Sequence, residues 1–181
     1  MVLMDGITEI RVHGRGGQGA VTTAELMAIA AFKDGKFSQA MPNFGPERRG
    51  SPVEAYCRLS GEFITLRTQV YDPDYVIVLD DSLPNVVDIT RGLAKNGMIL
   101  INSAEKKRFG GFPTYKIDAN RIAMEVIGRP IVNTVMLGAF AKATKLVSLE
   151  SLMEATKERF EGAVREKNML AIKRAYEETK A

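Results

Sequence analysis

Apolar and polar residues alternate over residues 7–14, with Ile10, Val12 and Gly14 on one side of an extended segment and Glu9, Arg11 and His13 on the other. The segment runs straight into GRGGQG. Over residues 18–32, Ala20, Ala24, Met27, Ala28 and Ala31 then recur at helical spacing. This predicts a strand, a glycine loop and a helix whose small-residue face packs closely on a sheet. Val53, Ala55, Cys57 and Leu59 alternate with Glu54, Tyr56 and Arg58, and Ser60-Gly61 separates them from an extended run at 62–66, so a β-hairpin is expected there. Residues 76–79 and 98–101 are continuous apolar runs, as in strands buried on both faces. Between them Pro84 can open a helix that Asn96-Gly97 ends. A short strand over 114–117 precedes helical patterns at 120–127 and 133–144. In the charged remainder, Ser148 can cap one helix and Asn168 another, the latter carrying Met169, Ile172 and Tyr176 on one stripe. The pattern specifies an α/β fold: a three-layer α/β/α sandwich with a mixed, mainly parallel sheet, a β-hairpin and a Rossmann-like first strand–loop–helix, in one domain over 1–181.

Composition narrows the chemistry. With 25 Lys+Arg against 22 Asp+Glu, the net charge of +3 implies neither a nucleic-acid nor a membrane partner, so any basic site is local. One cysteine, Cys57, and one histidine, His13, cannot ligate an iron–sulfur cluster, build a structural zinc site or form a disulfide, so no metal site is expected on this chain. The opening MVLMDGITEI has no basic n-region, and no apolar run approaches the roughly 20 residues that span a bilayer. A soluble, cytoplasmic protein is expected.

Gly14, Gly16 and Gly19 match G-x-G-x-x-G in the strand-to-helix context of a dinucleotide fingerprint. A nicotinamide site also needs an acidic residue about 20 positions on, at the end of the second strand. That stretch reads KFSQAMPNF, with Asp34 before it and Glu47 after it. The general physics remains. Backbone N–H groups around Gly14, Gly16, Gly17, Gln18 and Gly19, with the helix N-terminus and Arg15, suit an anion, or the glycines simply permit a tight turn. His13 reads as a strand-end hydrogen-bonding residue, since no nucleophile or carboxylate is fixed beside it, and no catalytic residue is assigned.

The second motif, NFGPERRGSP, stiffens a loop with two glycines and two prolines and places Glu47, Arg48 and Arg49 at its tip. The paired arginines could grip phosphate or carboxylate, or Glu47 could pair with one and brace the loop. Asp80-Asp81 could hold a cation at a strand end or cap the next helix; the cap is the reading preferred here.

Taken together, HGRGGQGAVTTAELMAIAAFKDGK, QAMPNFGPERRGSPVEAYCRL and PDYVIVLD, in that order and spacing, resemble the gamma subunit of the pyruvate/2-ketoisovalerate ferredoxin oxidoreductases, whose single-chain relatives carry it as an internal domain. The resemblance covers essentially the full chain. FGPERRGSPV resembles the pyruvate type more than the 2-oxoglutarate type, where the loop commonly differs at Arg48 and lacks the proline at Pro52. The resemblance implies a cytoplasmic heterotetramer of anaerobic metabolism that converts pyruvate (or a branched-chain 2-oxoacid), coenzyme A and oxidised ferredoxin into acyl-CoA, carbon dioxide and reduced ferredoxin. Thiamine diphosphate, Mg2+ and [4Fe-4S] clusters are implied for the alpha, beta and delta partners, and no independent activity for this chain. Because both motifs fall in loops flanking strand ends and coenzyme A carries polyanionic phosphates, residues 14–19 with Arg48 and Arg49 are expected either to hold coenzyme A phosphate or to pack against the catalytic subunits. The competing expectation is a free-standing nucleotide-binding protein that uses the glycine loop.

Overall fold

A computed structural model describes residues 6–43 and 49–180. The glycine-loop unit forms as the pattern requires: β1 (Ile7–Arg15) leads through the loop into α1 (Ala20–Lys33). Next come β2 (Phe37–Pro42) and β3 (Pro52–Ser60), then β4 (Tyr75–Val78), β5 (Met98–Asn102) and β6 (Thr114–Ile117). Four helices close the chain: α2 (Ala119–Val126), α3 (Asn133–Thr144), α4 (Leu149–Arg159) and α5 (Gly162–Glu178).

The six strands form one mixed sheet in the order β2-β3-β1-β4-β5-β6. β1, β4, β5 and β6 are parallel, while β3 runs antiparallel to both β1 and β2. The antiparallel hairpin is therefore β2–β3. Residues 62–66 form no strand, and Phe63 is exposed, because both edges of β3 are already taken by β1 and β2.

The faces of the sheet are covered differently. Ile10, Val12, Ala55, Cys57 and Leu59 meet the apolar stripes of the helices in the larger core. A smaller core of Val76, Val78, Ile99 and Ile101 on the other face is roofed by Leu83, Ile89 and Leu93. That roof is a 3-10 turn at Leu83–Asn85 followed by loop, where Pro84 suggested a helix. A run of β-branched residues disfavours helix there. Asp88 also diverts the chain, its Oδ1 accepting from the Thr90 N–H at 2.9 Å and the Thr90 hydroxyl at 2.6 Å.

Ser148 caps α4 as expected, accepting from the Ser151 N–H at 3.1 Å. Asp34, just past α1, accepts from the Ser148 N–H and hydroxyl and the Ser151 hydroxyl, binding the end of one helix to the start of another. Asn168 is not a cap. It lies inside α5, buried, with Oδ1 accepting from the Thr134 hydroxyl at 2.7 Å and Nδ2 donating to the Val164 carbonyl at 2.8 Å. The polar side chain that looked like a helix start in fact joins α3 to α5. These two helices approach so closely at Gly138 that a Cβ there would lie 2.2 Å from the Ile172 carbonyl oxygen.

Candidate functional site

The chain leaves β1 toward one side of the sheet and β4 toward the other, so their carboxyl ends flank a topological switch point, the place where open α/β sheets form a ligand crevice. Three segments converge there: the glycine loop, the turn after β4 and the limb leading into β3. The limb is tied to the loop by reciprocal backbone bonds, Gly16 N–H to the Ser51 carbonyl at 2.9 Å and Gly50 N–H to the Gly16 carbonyl at 3.1 Å. The two sequence motifs thus form one surface. Arg49 lies exposed in the turn beside Gly50, while Arg48 and Glu47 fall outside the described residues.

Within the loop, several donors are already used. Gln18 folds back so that its Oε1 accepts from the Arg15 N–H at 2.8 Å, and the Gln18 N–H reaches the Arg15 carbonyl. Gly19 is the N-cap of α1 at φ +82°, a conformation glycine adopts without penalty, and no side chain caps this helix. The N–H groups of Gly17, Gly19, Ala20, Val21 and Thr22 make no bond to the described residues, leaving a positive helix end without an acceptor among them. Against it sits Asn133, the first residue of α3: its Oδ1 is buried without a hydrogen-bond partner, and a Cβ on Gly19 would come within 2.7 Å of its Nδ2.

Arg15 does not stand free. Its Nε lies 3.3 Å from Asp80 Oδ2, Nη2 donates to the Ser82 hydroxyl at 2.7 Å and Nη1 to the Gly50 carbonyl at 3.0 Å. Gln18 Nε2 donates to the same Asp80 oxygen at 2.8 Å. Burial pushes the Asp80 carboxyl up, but hydrogen bonds from Ser82 and Gln18 and the charge of Arg15 outweigh it, and its pKa ends below the ordinary carboxylate value. The expected cap is not made, since no side chain caps the 3-10 turn after β4; Asp80 Oδ1 accepts instead from the Ser82 N–H at 3.0 Å, and its Oδ2 clamps the glycine loop to β4. Sequence reasoning missed this partnership, and the one available hint was the position of both residues at ends of apolar strands. Behind the crevice, Asn102 at the end of β5 donates to the Leu79 carbonyl and accepts from the Ala119 N–H, fixing the end of β4 and the start of α2.

His13 points to the opposite face. It is buried with Arg11 beside the half-buried Glu54, and burial pulls its pKa down to about 4, Glu54 opposing the shift. It is a structural residue, not an acid–base group exposed to a substrate. Cys57 is wholly buried and burial raises its thiol pKa, so it is an inert core residue. Among the described residues, no three His, Cys, Asp or Glu side chains gather to hold a metal ion, and no helix is long and apolar enough to cross a membrane.

The classical nicotinamide arrangement is excluded by topology. In that arrangement the strand after the first helix lies beside β1 and presents the ribose-binding acid. Here β3 is inserted between β1 and β2, so the end of β2 cannot reach that position.

Fold and crevice together define an α/β chain with a glycine loop at the topological switch point of a mixed sheet. Residues 9–178 match the family model described as pyruvate ferredoxin/flavodoxin oxidoreductase, and the chain belongs to that family. It is 55% identical over 170 residues to the pyruvate synthase subunit PorC of Methanothermobacter thermautotrophicus, covering 94% of each chain. It is 51% identical over 180 residues to the pyruvate/ketoisovalerate oxidoreductases common subunit gamma of Thermococcus kodakarensis, covering 94% of this chain and 96% of the relative. The crystal structure of the pyruvate oxidoreductase subunit PORC from Thermotoga maritima superposes with a TM-score of 0.84 at 36% identity, covering 96% of this chain and 97% of that one. These relatives are subunits of an oxidoreductase.

Proposed function

We propose that this chain is the gamma subunit of a cytoplasmic complex with alpha, beta and delta partners that oxidatively decarboxylates pyruvate, or a branched-chain 2-oxoacid, with coenzyme A to acyl-CoA and carbon dioxide, reducing ferredoxin. The observation that carries this reading is the match along nearly the whole chain to proteins named as such subunits. A single buried cysteine cannot supply the four thiolates of an iron–sulfur cluster, and among the described residues of the crevice Asp80 is already committed to Arg15 and Gln18. The clusters, thiamine diphosphate and Mg2+ are accordingly assigned to the partner chains.

In this reading the joined loops face the catalytic subunits. The unused N–H groups of Gly17, Gly19 and the start of α1 receive a phosphate of coenzyme A, with Arg48 and Arg49 supplying the positive charge, because Arg15 is neutralised by Asp80. The competing role for the same surface is docking alone.

Anaerobic isolation of the native protein tests the first claim. Co-purification with three further chains and coenzyme-A-dependent reduction of an electron acceptor are expected, and a ligand-free monomer would overturn it. Replacing Arg48 and Arg49 by Ala in the complex tests the second. A rise in the apparent KM for coenzyme A with intact assembly supports phosphate binding, loss of assembly supports docking, and no change in either removes both roles from these residues.

A further inference from the structure

At the far edge of the sheet, away from the glycine loop, all four residues of β6 line an open cleft of about 970 Å³. β6 bonds to β5 on one side and to no strand on the other. The cleft walls carry Lys106, Lys107, Arg108, Lys116, Arg121 and Lys180. Asp118 and Glu178 are the acids in the lining, so this one cleft holds more positive charge than the net +3 of the whole chain. Two of the cations are occupied: Arg121 pairs with Glu125 and Glu178, and Lys116 donates to the Ala104 carbonyl. Lys106, Lys107, Arg108 and Lys180 form no ion pair with the described residues.

A lone lysine on an edge strand guards against aggregation. Four unpaired cations in the cleft beside an open strand go well beyond that need. The rest of the lining disfavours a small phosphate ligand, since Asp118 and Glu178, whose carboxylates repel an anion, share the wall with Phe112, Tyr115 and Ile117. An extended chain fits better. Added beside β6, it gains backbone hydrogen bonds, and side chains at every second position meet either the cationic rim or the apolar floor.

We propose that the open edge of β6, rimmed by Lys106, Lys107, Arg108 and Lys180, docks an extended acidic segment of a partner protein by strand addition. The proposal does not depend on the reaction that the assembled complex performs.

The test uses the full chain, labelled with nitrogen-15, and a nine-residue peptide of alternating Glu and Thr, with an alternating Lys and Thr peptide and inorganic pyrophosphate as controls. Saturable amide shifts are expected along residues 106–117 with the acidic peptide only. Affinity should weaken with added salt and fall roughly tenfold in the triple variant Lys106→Glu, Lys107→Glu, Arg108→Glu. The milder pair Arg108→Gln and Lys180→Gln gives the same direction if the triple variant does not fold. Absence of saturable shifts, shifts unchanged in both variants, or tighter binding of pyrophosphate than of peptide to the same residues would each overturn the proposal. Since the isolated chain is used, this outcome is separate from whether the chain co-purifies with companions.

Discussion

The Arg11 Nε–H donates to His13 Nε2 at 3.0 Å, two residues apart on the same face of β1. That bond requires Nε2 to be the acceptor, so the imidazole is neutral with its proton on Nδ1, directed toward Glu54 Oε1 3.6 Å away. Arg11 is fully buried, with Nη2 donating to the carbonyls of Ile89 and Arg91 and Nη1 left without a protein partner. Below the loop layer lies a charged cluster that depends on this histidine staying neutral.

Acid should therefore attack the fold here. The folded pKa of His13, about 4, lies below the unfolded value of 6.5, so the unfolded state binds more protons between those limits. Stability from this group is complete above pH 6.5 and declines as pH falls toward 4, by roughly 3 kcal/mol at most. Because the chain has one histidine, its ring resonances report the titration without assignment ambiguity. A midpoint near 6.5 in the folded protein would contradict the buried arrangement.

Asp80→Asn should release Arg15 while leaving the β4 turn in place. Loss of the charge-assisted contacts from Arg15 and Gln18 should cost about 1–3 kcal/mol, visible as a lower Tm. If the glycine loop receives phosphate, the freed guanidinium should tighten coenzyme A binding several-fold. Calorimetry on the purified complex distinguishes that result from unchanged affinity, which would argue for docking.

Gly19→Ala meets two penalties at once. The site has φ +82°, and the new methyl would press on Asn133. A loss of about 1–3 kcal/mol is expected by denaturant unfolding. Gly17→Ala, with the same sign of φ but open space around it, should lose only the smaller, conformational part, about 1 kcal/mol.

Gly138→Ala probes packing alone, since helix propensity favours alanine. A Cβ at 2.2 Å from the Ile172 carbonyl oxygen must force α3 and α5 apart, so destabilisation of about 2–4 kcal/mol should outweigh a propensity gain of about 1 kcal/mol. Equal or greater stability in a urea titration would mean the helices separate at little cost.

The elements with strong periodicity were readable from the sequence: β1, α1, β3, the apolar strands β4 and β5, and α3 all lie close to where their patterns put them. What local pattern could not supply was adjacency. Residues 62–66 have strand-like composition, yet β3 has no edge left for them. Residues 37–42 gave no distinct signal but form β2 because β3 offers them an open edge. Asn168 has the chemistry of a cap, and only the neighbouring Thr134 explains why it sits inside a helix. The site divides the same way. The glycine loop was visible in the spelling of the chain, whereas the Arg15–Asp80 clamp and the orphaned Asn133 oxygen arise between residues 65 and more than 100 positions apart in sequence.

The insertion of β3 between β1 and β2 has a consequence for synthesis. The strand that carries the glycine loop is made first but is flanked by strands completed at Ser60 and Val78, with Ile7 paired to Ser60 and His13 to Val78. An emerging chain can form α1 early, but it cannot seat β1 until these later segments have left the ribosome. The crevice is thus closed in two stages: β3 takes one edge of its first-made wall, and the other edge stays open until β4 has been synthesised.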